Sequence, residues 1–164
     1  MQKPFSATKL PDRHYKQIGL IISSYSLIEH LTERIIWQLL KLDSRTGKIV
    51  TSSAKMQARI EILSTLAPVK FKNKPTVKEC KESIEVIKTF YKKRNYFAHG
   101  FWFYDTKTKT TWVTLSNENK ANSNFVRKEF TDKNFEGLSD GLSKCSKYLH
   151  ELLTDIESGN EPLR

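Results

Sequence analysis

The sequence predicts a mainly α-helical protein, an up-and-down four-helix bundle with a small β insert between the third and fourth helices. Apolar residues recur every three or four positions through most of the 164-residue chain, as on one face of a helix. Between residues 101 and 130 the pattern changes to aromatic and β-branched residues around polar turns, which is typical of short strands. The short connections between the predicted helices favour antiparallel neighbours.

The first two helices have clear sequence signals at their starts and stops. The four predicted helices span about residues 11–41, 52–67, 76–99 and 131–157. Pro11 and Asp12 suit a first helical turn, since proline fits there and an acid interacts favourably with the positive end of the helix dipole. The stretch "LDSRTGK" at 42–48 is predicted to be a turn, and Pro68 is expected to end the second helix. A basic loop, "PVKFKNKP", would follow.

The third and fourth helices are predicted from capping signals. Thr76 and Glu79 have the spacing of a capping box, which would begin the third helix. Gly100 is expected to end that helix in a left-handed turn. Thr131 would cap the last helix, with Phe130 and Phe135 forming a hydrophobic staple. The last helix carries a heptad seam, after which the tail at 157–164 is expected to be frayed.

The insert at 101–130 reads as a hairpin, "FWFYD" and "WVTL", followed by a loop at 117–124 and a third strand in "NFVRKEF". Its aromatic residues leave two interpretations open. Trp102, Tyr104 and Trp112 could stack on nucleic-acid bases. Alternatively, they pack a small sheet onto the bundle, which is the more frequent role of such side chains.

Length and composition indicate a single domain, residues 1–164, large enough to bury a core without metals or disulfides. Cys80 and Cys145 lie far apart and form no CxxC pair, which favours a reduced, cytoplasmic setting. No secretory signal, membrane-spanning stretch, metal-ligand spacing or phosphate-binding glycine loop is evident, so we expect no cofactor and no membrane partner.

The charge indicates a polyanionic partner, with nucleic acid first. The chain has 28 basic and 18 acidic residues, a net charge of +10. Residues 70–94 hold nine Lys or Arg and three Glu, so this segment supplies +6 of that charge. A solvated helix face is the alternative for each single lysine. The candidate RNA-binding lysines are Lys70, Lys72, Lys74, Lys88, Lys92 and Lys93.

The stretch "RNYFAHG" at 94–100 continues this basic segment and brings three useful side chains together. Asn95 and His99 are four residues apart and share a helical face, which the long side chain of Arg94 can also reach. Arginine binds phosphate with a planar fork of donors, histidine exchanges protons near neutral pH, and asparagine can orient the imidazole. A plain alternative is that His99 only caps the end of the helix.

These residues resemble the Arg-x4–6-His motif of the HEPN superfamily, in which the residue after the arginine is commonly polar, here Asn95. "SYSLIEHL" in the first helix is similar to the Ser-x-x-Glu segment of such domains, with Glu29 as its acid. The resemblance covers about residues 11–157. Glu29 could hold Arg94 or His99, or could be a surface acid.

The resemblance implies a metal-independent endoribonuclease in which two copies of the bundle dimerise and their motifs meet in one cleft. His99 would act as general base or acid while the ribose 2′-OH attacks the phosphate, and Arg94 would stabilise the transition state. Family members often act as toxins or in phage defence, which implies a possible antitoxin or regulatory partner. Two alternatives remain open: an inactive HEPN-like module that binds RNA or a partner, and a basic helical adaptor for DNA or an anionic membrane.

Overall fold

The computed structural model describes residues 7–115, 126–161 and 163, and within this range the chain is mainly helical with a small antiparallel sheet. The helices are α1 Asp12–Leu39, α2 Ser44–Ser52, α3 Met56–Lys70, α4 Lys74–His99 and α5 Asp132–Ser158. The strands are β1 Ala7–Thr8, β2 Phe101–Asp105, β3 Thr110–Leu115 and β4 Val126–Phe130. The helical class and the insert between the last two long helices are therefore confirmed, although α2 and β1 were not predicted. The loop expected at 117–124 lies outside the described residues.

The chain divides into two compact units. The sheet unit comprises Met1–Ile22 and Lys93–Asp140, and the helical unit comprises Ser23–Lys92 and Gly141–Arg164. Three helices, α1, α4 and α5, contribute residues to both units. The "RNYFAHG" stretch belongs entirely to the sheet unit.

Contacts in the helical unit join α1 to three other helices. The Tyr25 ring of α1 lies 4.7 Å from that of Phe90 in α4. Arg59 of α3 forms a half-buried ion pair with Glu33, at 2.8 Å. Arg34 forms a hydrogen-bonded ion pair with Glu157 of α5. The predicted seam of α5 is also confirmed in this unit, where its buried members are Leu142, Cys145, Leu149, Leu152 and Ile156. The up-and-down bundle order stays a prediction.

The predicted turn at 42–48 is wrong, because Ser44–Ser52 form helix α2. Asp43 caps this helix by accepting hydrogen bonds from the Arg45 and Thr46 amides, and the Thr46 hydroxyl bond lowers the pKa of Asp43. Gly47, which suggested a turn, lies directly against the Trp37 ring, where a Cβ would come within 2.4 Å of Cγ. Tertiary packing on Trp37 therefore explains a glycine inside this helix.

The boundaries expected around the basic loop are also wrong. Helix α3 continues through Pro68 to Lys70, and the next residue, Phe71, is fully buried in the helical unit. Helix α4 begins at Lys74, with Pro75 in its first turn, a position that tolerates the missing N–H of proline. Thr76 does not cap α4, because its hydroxyl donates to Glu161 at 2.9 Å.

The tail is held at two points rather than frayed. Glu161 accepts hydrogen bonds from the Thr76 hydroxyl and from the side-chain Nδ2 of Asn73. Leu163 forms an isolated β-bridge with Phe71. The residues just beyond α5 thus close over the connection between α3 and α4, all within the helical unit.

The sheet has the antiparallel order β1-β2-β3-β4, as expected for a hairpin extended by the third predicted strand. Thr131 caps α5 as predicted, since its hydroxyl accepts from the Asn134 amide while the Asn134 side chain accepts from the Thr131 amide. The Phe130–Phe135 staple is confirmed by a ring separation of 5.5 Å.

Among the described residues, no helix is long and apolar enough to cross a membrane.

The two cysteines of the helical unit give a testable prediction. Burial raises the pKa of Cys80 to about 12, with a further contribution from nearby Cys145, whose own pKa burial raises to about 12. At pH 9 only about one thiol in a thousand would be ionised in the folded protein, and the thiolate is the reactive form. We expect the disulfide reagent DTNB to label neither thiol rapidly at this pH in the native state and both in denaturant. Rapid native labelling of either thiol would contradict this.

Candidate functional site

An aromatic cluster holds the end of α4 against the sheet. The Phe97 ring of α4 lies 5.2 Å from Trp102 of β2 and 5.5 Å from Phe130 of β4. Phe135 of α5 completes the cluster at 5.6 Å from Trp102. Four elements of the sheet unit therefore fix the backbone on both sides of His99.

The chain leaves α4 through a tight contact at Gly100. The Tyr96 carbonyl accepts two hydrogen bonds at 3.0 Å, one from the Gly100 amide and one from the Trp102 indole N–H. A Cβ at Gly100 would meet the Tyr96 oxygen and Val113 Cγ2, each at 2.3 Å. Gly100 does not have a positive φ, so the predicted left-handed turn is wrong. Glycine is needed here because of space rather than because of backbone conformation.

Arg94 and His99 are in contact at the end of α4. The guanidinium Nη1 lies 3.4 Å from the imidazole Nε2, with Arg94 half-buried and His99 exposed. A guanidinium has donors only, so Nε2 can accept a hydrogen bond from Arg94 in the tautomer that leaves this nitrogen without a proton. The arrangement presents a permanent positive charge beside a nitrogen that can take up a proton, at a surface that a phosphodiester can reach.

Asn95 and Glu29 are the two further residues predicted for this site. Asn95 is exposed one helical turn before His99, but His99 contacts Arg94 rather than Asn95. Glu29 is half-buried on α1 and belongs to the helical unit, whereas Arg94 and His99 belong to the sheet unit. The roles predicted for Asn95 and Glu29 stay predictions.

The six candidate RNA-binding lysines differ in their surroundings. Lys88 is ion-paired with Glu85 at 2.7 Å, which reduces the charge it can offer a phosphate. Lys70 and Lys93 are half-buried, and Lys93 directly precedes Arg94 on α4. The exposed members are Lys72, Lys74 and Lys92. The predicted cluster is therefore spread over the end of α3, the short connection and both ends of α4.

A second group of titratable side chains surrounds His14, which the sequence did not single out. Its Nε2 lies 2.6 Å from Asp132 Oδ1 and its Nδ1 lies 2.8 Å from Thr111 Oγ1, beside a cavity of about 240 Å³. This carboxylate–imidazole–hydroxyl order resembles a hydrolase triad. However, His14 is 3% exposed and Thr111 is 1% exposed, so the hydroxyl is closed to a substrate. The group instead ties α1, β3 and α5 together.

The insert aromatics divide between the two faces of the sheet. Trp102 and Tyr104 lie on the face that packs against helices, Trp102 on Phe97 and Tyr104 edge-on to His14 at 6.3 Å. Trp112 pairs with Phe103 and lies on the opposite face, because successive residues of a strand alternate. Packing against the helices therefore accounts for Trp102 and Tyr104, two of the three insert aromatics that the sequence singled out.

Comparisons with family models, curated proteins and solved structures found no match to this chain. Within the part of the chain that the structure describes, no group of three His, Cys, Asp or Glu side chains could hold a metal ion. The geometry of the Arg94–His99 contact and the sequence motif around it are therefore the basis for any functional conclusion.

The close contact at Gly100 predicts a large effect of a small substitution. Gly100→Ala adds a methyl group that overlaps the Tyr96 carbonyl and Val113, so we expect a loss of about 1–3 kcal/mol in the free energy of unfolding. Chemical denaturation followed by tryptophan fluorescence measures this change.

Gly137→Ala is the matched control, because nothing lies within 4 Å of a Cβ at this position of α5. Alanine there should raise stability by up to about 1 kcal/mol through its higher helix propensity. Equal stability of Gly100→Ala and the wild type would show that the junction can relax without cost.

Proposed function

We propose that this protein is a metal-independent endoribonuclease that cleaves RNA by attack of a ribose 2′-OH on the adjacent phosphate. The observation that supports this proposal most directly is the 3.4 Å contact between Arg94 Nη1 and His99 Nε2 at the exposed end of α4. The resemblance of "RNYFAHG" to the HEPN motif and the net charge of +10 support the same reaction and the same substrate.

In the proposed reaction the scissile phosphate enters between Arg94 and His99. The guanidinium moves its donors from Nε2 to the phosphate oxygens, which suit its planar fork. The freed Nε2 then accepts the 2′-OH proton as O2′ bonds to phosphorus and the P–O5′ bond breaks. The products are a 2′,3′-cyclic phosphate and a 5′-hydroxyl that must receive a proton. DNA lacks the attacking hydroxyl and is not a substrate.

The lysines of the segment 70–93 supply sequence-independent affinity in this proposal. Phosphate contacts with lysine release counterions and strengthen binding at low salt without selecting a sequence. The exposed side chains Lys72, Lys74 and Lys92 are better placed for this role than Lys88, which already pairs with Glu85.

A homodimer completes the proposed site. A single imidazole does not readily serve as base at O2′ and as acid at O5′ in one step, whereas two copies facing each other can divide these roles. The first turns of α1 offer an exposed apolar side chain for such pairing, since Leu20 is 48% exposed. The adjacent Gly19 has open space around it, so a second helix can approach closely.

The catalytic pair gives the first functional prediction. His99→Ala and Arg94→Ala should each lower the rate of RNA cleavage about 100- to 10,000-fold, since each removes a group that acts in the transition state. Arg94→Lys should also fail, because an ammonium lacks the planar fork. Cleavage of total RNA in EDTA, with chemical mapping of the new ends, measures the rate and identifies the cyclic phosphate.

His150→Ala is the matched control, because His150 is an exposed histidine on α5 in the helical unit. It should cleave RNA at the wild-type rate. If His99→Ala cuts as fast as His150→Ala, the assignment of His99 is wrong. RNA binding without cleavage by the wild type would favour the inactive module.

The dimer gives the second functional prediction. Leu20→Glu should convert a homodimer into a monomer in sedimentation velocity, since it places a charge in an apolar interface, and cleavage should fall with it.

In a mixed dimer of wild-type and His99→Ala subunits, a shared site predicts activity well below half that of the wild type.

Ile49→Glu is the control for this experiment, because Ile49 is 70% exposed on α2 and lies outside the α1 surface. It should leave the sedimentation coefficient unchanged. A monomeric wild type at working concentration, or a mixed dimer with half activity, would show that each subunit acts alone.

A further inference from the structure

On the outer face of the sheet, the exposed aromatic side chain is Phe101, two residues after His99, whereas Phe103 on the same face is only 6% exposed. Phe101, Phe103 and Trp112 share this face, because Phe103 pairs with Trp112 and strand residues alternate. Phe101 is 69% exposed, although the opposite face of the same strand is packed against helices through Trp102. The Phe101 ring is therefore accessible to a ligand from solvent.

Phe101 lies two residues after His99, and two residues span at most about 7 Å of chain. The Gly100 amide bond to the Tyr96 carbonyl, at 3.0 Å, fixes this short link. A phosphate at the Arg94–His99 contact and a neighbouring base on the Phe101 ring are therefore compatible with the dimensions of one nucleotide.

The surroundings of Phe101 suit a nucleic-acid base. Its ring lies 6.2 Å from that of the buried Phe103, with 31° between the planes, so Phe101 is the ring of this pair that a base can reach. The Arg127 guanidinium lies 5.7 Å from the Phe103 ring, and Arg127 pairs with Thr114 opposite Phe101. Aromatic rings next to an arginine are the usual platform for unpaired bases.

The same face also limits how far a strand can extend. Glu129 pairs with Trp112 on the outer face, and its exposed carboxylate repels phosphates. The favourable surface is therefore the exposed Phe101 ring, with the exposed Arg127 on the same face, which offers one ring for one base. Positive charge alone would suit any polyanion, whereas an accessible ring one nucleotide's length from the Arg94–His99 contact suits an unpaired base of single-stranded RNA.

We propose that Phe101 is a base-stacking residue, on which an unpaired base next to the scissile phosphate of single-stranded RNA lies. This inference rests on the proposed function for the position of the phosphate. It adds a requirement for unpaired substrate, since a base held in a duplex has no free face to place on the ring. Phe101 acts as a positioning and binding residue and takes no part in proton transfer.

Binding is tested with a non-cleavable 2′-O-methyl RNA of about eight nucleotides, within the range that single-strand sites cover. Fluorescence anisotropy should show that Phe101→Ala weakens binding about 5- to 150-fold, as expected for the loss of one stacked base. Phe101→Leu, which keeps apolar area without a ring, should be similarly weak, and Phe101→Trp should bind at least as tightly as the wild type. Thermal melts confirm that each variant is folded.

An abasic site moved along the oligonucleotide identifies the stacked base. Wild-type protein should lose affinity at one position, and Phe101→Ala should show no further loss there, since the partner ring is already absent. Ile49→Ala, at another exposed apolar side chain, should match the wild type throughout.

Wild-type affinity in Phe101→Ala or in Phe101→Leu would overturn the stacking role. A second result would also overturn it: Phe101→Ala that binds RNA like the wild type but no longer binds vesicles of phosphatidylglycerol and phosphatidylcholine. That result would assign Phe101 to a membrane surface. Failure of the proposed function gives a different result: wild-type protein that does not cleave RNA, while the Phe101 effect on the non-cleavable strand persists.

Discussion

The aromatic cluster of Phe97, Trp102, Phe130 and Phe135 is the constraint on which the rest of the sheet unit depends. These rings lie 5.0–6.4 Å apart and come from α4, β2, β4 and α5. Phe97 precedes His99 by two residues and Trp102 follows it by three, so the cluster holds the chain on both sides of the histidine. Buried aromatic pairs contribute about 0.5–1.5 kcal/mol each beyond their area, which is enough to define one geometry for this short segment.

The motif and the insert are therefore one structure rather than a helix with an appended sheet. The Tyr96 carbonyl binds both the Gly100 amide and the Trp102 indole, so the last turn of α4 and the first residues of β2 share one acceptor. Lys128 of β4 lies 5.5 Å from the Tyr96 ring and adds a positive charge beside the same turn. The last turn of α4 is thus held by groups from both β2 and β4.

Several features could be predicted from local sequence because local forces decide them. The 3.6-residue apolar period defines α1, α4 and α5. Aromatic and β-branched residues on either side of a polar turn define the hairpin in 101–115, and Thr131 with Phe130 and Phe135 begins α5 as expected. Local rules failed where a distant side chain intervened. Gly47 suggested a turn, but it is a glycine inside a helix because the Trp37 ring leaves no room for a Cβ. Thr76 donates a hydrogen bond to Glu161 instead of capping its own helix.

The sequence by itself determined which residues could form a site, because the spacing of Arg94 and His99 on a helix brings them within one and a half turns. Only the tertiary structure decided what surrounds them. Gly100 is required by the closeness of Val113, thirteen residues away, and Phe101 is exposed while Trp102 is packed because the helices cover one face of the sheet. Periodicity shows that two faces exist, but the packing partners that choose the buried face lie far along the chain.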